Sequence, residues 1–131
     1  MSKEKVSILL VDDNKNFVDR MMILLAEIDT ISAIHTAFDF DEASLLLHQK
    51  PDLVLLDIQL PGGNGMNLLK KIKSSVNQSE VIMLTNHVGE YYRQQCKELG
   101  ALHFLDKTND FERLPAMIKD FAGPHRQKTN T

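Results

Sequence analysis

Short runs of apolar residues recur along the chain, and the segments between them space their apolar residues differently. Short, nearly continuous apolar runs are typical of strands that are buried on both faces of a sheet. The pattern therefore predicts five buried strands, of which the second is the weakest. The five runs are Val6–Val11, Ile31–Ala37, Leu53–Leu56, Val81–Leu84 and Leu102–Leu105.

The intervening segments repeat apolar residues three or four positions apart, which predicts amphipathic helices between and after the strands. Two helix starts have the spacing of a capping box, at Asp39 with Glu42 and at Asn109 with Glu112. Gly100 is typical of the residue that follows a helix end. The apolar stripes are Phe17, Met21, Leu24 and Ile28; Ala43, Leu46 and Leu47; Leu69, Ile72 and Val76; Val88, Tyr92, Cys96 and Leu99; and Phe111, Leu114, Ile118 and Phe121.

Five strands that alternate with five helices predict a doubly wound α/β domain, because right-handed crossovers place helices on both faces of a parallel sheet. We expect this domain to span residues 1–122. The remaining residues, 123–131, are polar, begin with Gly-Pro and have no apolar face, so we expect a flexible tail.

Length and charge limit the functions that are expected. A chain of 131 residues suits one domain, so we expect no output domain. The net charge of -3 gives no electrostatic reason to expect a nucleic-acid surface, so protein partners are expected. No apolar run approaches the roughly 20 residues of a membrane span, which predicts a soluble, cytoplasmic protein. The single cysteine, Cys96, cannot form an internal disulfide and is expected in the core.

Polar residues follow four of the predicted strands, at the edge of a parallel sheet where ligands bind. Strand one is followed by Asp12-Asp13-Asn14, strand three by Asp57, strand four by Thr85 and strand five by Asp106-Lys107. If these strands lie side by side, three carboxylates, a hydroxyl and an ammonium meet in one cleft.

Three neighbouring carboxylates repel one another unless a cation lies between them. Mg²⁺ prefers oxygen ligands and also binds phosphate oxygens, so the cleft suits phosphoryl transfer. Asp57 would be the nucleophile that accepts the phosphoryl group. Lys107 and Thr85 would neutralise and hydrogen-bond the phosphoryl oxygens.

These residues resemble the receiver domains of two-component response regulators, over about residues 6–121. The motifs are Asp12-Asp13, Leu53-Val54-Leu55-Leu56-Asp57 followed by Leu60-Pro61-Gly62, Leu84-Thr85, and Phe104-Leu105-Asp106-Lys107. The resemblance implies a flavodoxin-like (βα)5 fold with strand order 2-1-3-4-5.

The resemblance also implies the role of each site residue. Asp13 and Asp57 would bind Mg²⁺ directly together with the backbone carbonyl of Gln59, while Asp12 would act through water. Thr85 and Phe104 match a switch pair, in which the hydroxyl moves toward the phosphoryl group and the aromatic ring turns inward.

The chain departs from the commonest family pattern at a few positions. Thr108 stands where a proline usually follows the lysine, and Asn86 stands where a small residue usually follows the threonine. Gln59 and His87 occupy positions that vary in the family and are associated with different phosphoryl lifetimes. None of these differences removes a catalytic group.

A single-domain receiver would act in trans and would catalyse only its own phosphorylation and dephosphorylation. Its donor would be a histidine kinase or a phosphotransfer protein. Its target would dock on the face of the fourth helix, fifth strand and fifth helix, where Tyr91 is expected to be exposed and Tyr92 buried. A docking switch and a phosphorelay intermediate remain open alternatives.

Other functions of a similar fold fit the residues less well. A flavin carrier needs a hydroxyl- and glycine-rich loop after strand one, where this chain has acids. A haloacid-dehalogenase-like phosphatase needs an Asp-x-Asp arrangement that Asp12-Asp13-Asn14 does not supply. The strongest alternative is a receiver-fold interaction module that does not depend on phosphorylation.

Overall fold

The structure is a computed structural model that describes residues 5–75, 79–86 and 89–122. Strands and helices alternate along these residues as the apolar pattern predicts. Val76, His87, Val88 and the expected tail at 123–131 lie outside the described residues. The elements are β1 (Val6–Val11), α1 (Lys15–Leu25), β2 (Ile31–Ala37), α2 (Phe40–Leu46), β3 (Leu53–Leu56), α3 (Gly65–Lys73), β4 (Glu80–Thr85), α4 (Glu90–Glu98), β5 (His103–Asp106) and α5 (Leu114–Phe121).

The five strands form one parallel sheet in the order β2-β1-β3-β4-β5. This order confirms the expected flavodoxin-like topology. Successive side chains of a strand point to opposite faces, so a continuous apolar run supplies both faces of a covered sheet. In β1, Ile8 and Leu10 join one hydrophobic cluster, and Leu9 and Val11 join the other.

The two clusters explain why helices cover both faces of the sheet. One cluster contains the buried residues of α1 and α5, such as Met21 and Ile118. The other contains those of α2, α3 and α4, such as Leu69 and Cys96. Cys96 is fully buried, which confirms its expected place in the core. Burial raises the pKa of its thiol to about 11.

Backbone hydrogen bonds continue the sheet beyond the ends of the strands. The N–H of Asp57 donates to the carbonyl of Val11 over 3.2 Å, and the N–H of Lys107 donates to the carbonyl of Thr85 over 3.0 Å. The N–H of Asp12 donates to the carbonyl of the last residue of β2. The residues that follow β1, β3 and β5 are therefore held at one edge of the sheet.

Two of the three predicted helix signals are confirmed. The Asp39 side chain accepts a hydrogen bond from the N–H of Glu42 over 2.8 Å, and Gly100 follows α4 with a φ of +101°. The predicted cap at Asn109 is wrong, because the Asn109 side chain donates to Asp106 instead. The chain first forms a 3₁₀ turn at Phe111–Arg113, and α5 begins only at Leu114, with Pro115 in its first turn.

The two adjacent tyrosines of α4 divide as expected. Tyr92 is partly buried against the core, whereas Tyr91 is 69% exposed. The two rings meet edge to face with their centroids 5.5 Å apart. Within the described part of the chain, no helix is both long and apolar enough to span a membrane.

Candidate functional site

An open cleft of about 570 Å³ lies at the carboxyl edge of the sheet. It is formed by the segments that follow β1, β3, β4 and β5, as the positions of the polar residues predict. The cleft is lined by Asp13, Asn14, Asp57, Ile58, Gln59, Leu60, Gly63, Asn64, Asn86 and Lys107.

Asp57 has the most constrained carboxylate of the cleft. It follows β3 directly and is only 7% exposed. Its Oδ1 accepts a hydrogen bond from the N–H of Ile58 over 2.6 Å, and its Oδ2 accepts one from Lys107 Nζ over 2.9 Å. Each carboxylate oxygen thus has one donor and a fixed orientation toward the cleft.

The start of α3 is packed tightly against Asp57. The N–H of Gly65 donates to the carbonyl of Ile58 over 2.6 Å. A Cβ at Gly65 would collide with the carbonyl oxygen of Asp57, so this position requires glycine. Asn64 caps the same helix by accepting from the N–H of Met66 over 2.7 Å.

A short hairpin forms the wall of the cleft between β3 and α3. Gln59–Leu60 pairs with Gly63–Asn64 in antiparallel fashion, and Gly62 adopts a φ of +82° in the turn. The hairpin is anchored to α2 because the N–H of Phe40 donates to the carbonyl of Pro61 over 3.1 Å. This anchoring fixes the main chain of Gln59 beside Asp57.

Lys107 joins two acids at the base of the cleft. Its Nζ lies 2.6 Å from Asp12 Oδ2 and 2.9 Å from Asp57 Oδ2, and the residue is only 9% exposed. Burial favours the neutral amine, but the hydrogen bonds and charges of Asp12 and Asp57 outweigh this effect, so the pKa of Lys107 is raised. The lysine is therefore held as a cation.

Asp12 is the most deeply buried acid of the site, with 1% exposure. Burial raises the pKa of its carboxyl, although the hydrogen bonds from Lys107 and from the N–H of Asn14 oppose this shift. Asn14, rather than either aspartate, caps α1 by accepting from the N–H of Phe17 over 3.1 Å.

The ring of Phe17 contacts the ammonium of Lys107. Lys107 Nζ lies 4.5 Å from the centroid of this ring, a distance typical of a cation–π contact. Phe17 meets Phe111 edge to face at 5.8 Å, and Arg20 covers Phe111 at 4.6 Å. The sequence indicated only that Phe17 is a core residue, because an apolar position in a helical stripe does not reveal a polar neighbour.

The oxygen atoms on the open side of the cleft suit a magnesium ion. Asp13 is exposed and lines the cleft together with Asp57 and Gln59. Among the described residues, no three His, Cys, Asp or Glu side chains form a cluster that could hold a metal. Mg²⁺ is commonly bound by only one or two carboxylates and keeps several waters, so two carboxylates and a backbone carbonyl fit it.

Thr85 does not reach the cleft in this conformation. It is fully buried at the end of β4, opposite Asp106 of β5, and its carbonyl accepts from the N–H of Lys107. Among the described residues, Asn86 lines the cleft and Thr85 does not. Asn86 therefore lies in the cleft where the sequence predicted the Thr85 hydroxyl.

Phe104 lies in β5 beneath a cation from α4. The guanidinium of Arg93 lies 4.8 Å from the centroid of the Phe104 ring, and Arg93 Nη1 donates to the carbonyl oxygen of Phe104 over 3.2 Å. Phe104 is 9% exposed and belongs to the core cluster on this face. The contact with Arg93 was not predicted, since a helical Arg in an exposed position gives no signal of its partner.

The chain matches the response regulator receiver domain over residues 8–119. It belongs to this family. This receiver domain is 38% identical to the transcriptional regulatory protein CpxR of Escherichia coli (strain K12) over 127 residues, which cover 94% of the chain and 53% of CpxR. The chain spans about half the length of the curated relatives it matches.

Solved structures of receivers share the fold. The signal receiver domain of a DNA binding response regulator from Colwellia psychrerythraea 34H superimposes with a TM-score of 0.82 at 30% identity, covering 89% of this chain and 98% of that one. The phosphorylated cyanobacterial phytochrome response regulator RcpA gives a TM-score of 0.78 at 27% identity, covering 90% of this chain and 94% of that one.

Proposed function

We propose that this receiver domain accepts a phosphoryl group on Asp57 in a reaction that requires Mg²⁺. The observation that supports this most directly is the contact of Lys107 Nζ with Asp57 Oδ2 at 2.9 Å, at the base of an open polar cleft. A buried carboxylate beside a fixed cation is positioned to attack phosphorus and to have the added charge neutralised. RcpA, a similar structure, is a phosphorylated response regulator.

The reaction forms one bond and breaks one. A carboxylate oxygen of Asp57 attacks the phosphorus of a phosphohistidine, a P–O bond forms, and the P–N bond to the donor imidazole breaks. Lys107 then donates to a phosphoryl oxygen, since its ammonium already lies beside the attacking carboxylate. Asp12 keeps the ammonium at this position through the contact of 2.6 Å.

Asp13, Asp57 and the backbone carbonyl of Gln59 would hold the magnesium ion, with Asp12 acting through water. When bound, Mg²⁺ supplies positive charge that offsets the carboxylates and the phosphoryl oxygens. This assignment is supported by the lining of the cleft, which includes the two acids Asp13 and Asp57 together with Gln59.

Phosphorylation would act on Thr85 and Phe104 as a switch pair. The Thr85 hydroxyl is buried, so it must move toward the cleft to reach a phosphoryl oxygen. This movement would leave space that Phe104 can fill, and Phe104 is covered at present by Arg93 of α4. The change would therefore reach the face of α4, β5 and α5, where Tyr91 is exposed.

The donor would be a histidine kinase or a phosphotransfer protein, as for receivers in general, and the two would meet in the cytoplasm. The domain would act in trans, either by docking on a protein target or by passing the phosphoryl group along a relay. In either case it would catalyse only its own phosphorylation and dephosphorylation.

Intact mass spectrometry tests this proposal with acetyl phosphate as the donor. We expect the wild-type chain to gain the mass of one phosphoryl group with Mg²⁺ and none after chelation with EDTA. Asp57→Asn should gain none under either condition. Two results together would instead identify an interaction module that does not depend on phosphorylation. These are an unmodified wild-type chain and, in a pull-down, equal capture of partner proteins by wild type and Asp57→Asn.

A further inference from the structure

The segment that follows β5 is a closed turn built from the side chains of two aspartates. Asp106 Oδ1 accepts from the N–H groups of Thr108 and Asn109 over 2.8 and 3.3 Å, and Asp106 Oδ2 accepts from Asn109 Nδ2 over 2.9 Å. In return, Asp110 Oδ2 accepts from the N–H of Asp106 over 2.9 Å. The N–H of Asp110 completes the turn by donating to the carbonyl of Asp106 over 2.9 Å.

Lys107 lies inside this turn. Its neighbours on both sides, Asp106 and Thr108, are held by the carboxylates, and its own N–H donates to the carbonyl of Thr85 over 3.0 Å. The main chain of the lysine is therefore fixed before, at and after the residue. A long, flexible side chain reaches a set point more precisely when its Cα cannot move.

The two aspartates do not belong to the cleft itself, because neither lines it. Additional negative charge close to a phosphorylation site is unfavourable, so these residues require another explanation. Their carboxylate oxygens are instead occupied by the hydrogen bonds of the turn and, at Asp110 Oδ1, by a hydrogen bond from Arg113. The hydrogen bond from the N–H of Asp106 is the main reason that the pKa of Asp110 is lowered, with smaller contributions from Arg113 and Arg93.

The turn also gives a structural meaning to Thr108. Its N–H donates to Asp106 Oδ1, and a proline at this position has no N–H to donate. The turn therefore depends on the backbone N–H of residue 108 rather than on its side chain.

We propose that Asp106 and Asp110 are positioning residues for Lys107, and that their turn places its ammonium at the phosphoryl group on Asp57. This inference rests on the proposed function. It assigns a part in phosphoryl transfer to two acids that contact neither the phosphoryl group nor the metal.

Matched substitutions separate the turn from the side chains that form it. Asp106→Ala and Asp110→Ala each remove part of the turn, and the loss of alignment should slow phosphorylation by acetyl phosphate by about 10- to 100-fold. Asp106→Asn keeps an oxygen acceptor for the N–H of Thr108 and should retain most of the rate. Thr108→Ala keeps the N–H and should react as fast as wild type.

The decisive readout is ¹⁹F NMR of beryllofluoride, which mimics the phosphoryl group on Asp57. Lys107→Ala identifies the fluorine resonance that depends on the ammonium. We expect Asp106→Ala to shift or broaden this resonance and to leave the others in place, with Asp106→Asn restoring it. A purely structural effect would lower the melting temperature without selecting one fluorine.

The possible results separate the two proposals. Wild-type fluorine spectra in Asp106→Ala and Asp110→Ala, with unchanged phosphorylation rates, would overturn this inference and leave the proposed function intact. Absence of bound fluoride signals in the wild-type chain would overturn the proposed function and this inference with it.

Discussion

At the scale of single residues, Lys107 is the cation on which the two buried acids of the cleft depend. Asp12 and Asp57 are both less than one-tenth exposed, and Lys107 Nζ contacts each of them. Buried charges are stable only when they are paired, so removal of the cation would leave two carboxylates to repel each other. The same arrangement keeps Lys107 charged, as the proposed binding of a phosphoryl group requires.

Lys107→Met tests this dependence in a metal-free buffer. We expect the free energy of unfolding to fall. The decrease should be smaller than the about 3–5 kcal/mol that breaking a fully buried ion pair costs, because the cleft is open to water. Lys15→Met is the control, since Lys15 contacts Asp19 at 3.6 Å on the surface and should cost at most about 1 kcal/mol. Equal losses in urea unfolding would show that the buried cation is not required.

If Mg²⁺ binds in the cleft as we propose, it should stabilise the folded chain, because folding brings the carboxylates of the site together. We expect the melting temperature to rise with millimolar Mg²⁺ and Asp13→Asn to reduce this rise. Asp29→Asn removes an exposed acid outside the cleft and should leave the rise unchanged. Equal responses of the two variants would argue against Asp13 as a magnesium ligand.

Asp110 should make stability depend on acidic pH. Its pKa is lowered below the ordinary value of 3.8 in the folded state, so its contribution is present above that value and is lost as pH falls through the folded pKa. Asp110→Asn should therefore lose less stability than wild type between about pH 5 and pH 2, a range that extends from above this ordinary value to below it. Parallel urea midpoints across this range would contradict the assignment.

At the scale of elements, β5 and α4 connect the cleft to the exposed face of the domain. β5 pairs with β4 so that Thr85 lies opposite Asp106, and Arg93 of α4 holds Phe104 of β5. If Thr85 moves on phosphorylation, as we propose, the change would pass through β5 to Phe104 and from there to α4. A phosphoryl group can only shift the equilibrium between two conformations that the domain already has. The proposed coupling between the cleft and α4 must therefore already be present in the unphosphorylated fold.

Amide chemical shifts with and without beryllofluoride test this connection. In the wild-type chain we expect changes at Asp57 and also at Phe104 and Tyr91. Thr85→Ala should still bind the mimic, but the changes at Phe104 and Tyr91 should become smaller. Wild-type changes confined to the cleft would favour a passive phosphoryl carrier over a switch.

The elements themselves could largely be predicted, and the errors have local causes. Continuous apolar runs identified the strands, and the spacing of Asp39 and Glu42 identified the start of α2. The same spacing failed at Asn109, because Asp106 offers its side chain a nearer partner. A capping signal reports a local preference, whereas the turn after β5 is decided by side chains that compete for the same donors.

At the scale of the whole molecule, the parallel sheet determines where the chemistry lies. Strands β1, β3, β4 and β5 end at one edge, so residues up to 95 positions apart in sequence meet there, as Lys107 and Asp12 do. Strand order is what made Asp13, Asp57 and Lys107 predictable as one site. The contacts of Phe17 and the burial of Thr85 depend on packing and could not be predicted from residue types alone.

The central claim is that Asp57 is the phosphoryl acceptor, and site mapping tests it most directly. Reduction with borohydride converts an aspartyl phosphate to an alcohol, which marks the modified residue in a peptide. After reaction with acetyl phosphate and Mg²⁺, we expect this mark at Asp57 and none at Asp52, an acid at the opposite end of β3 whose side chain is bound by Ser7. A mark at another residue, or an unmarked Asp57 in a phosphorylated chain, would contradict the account.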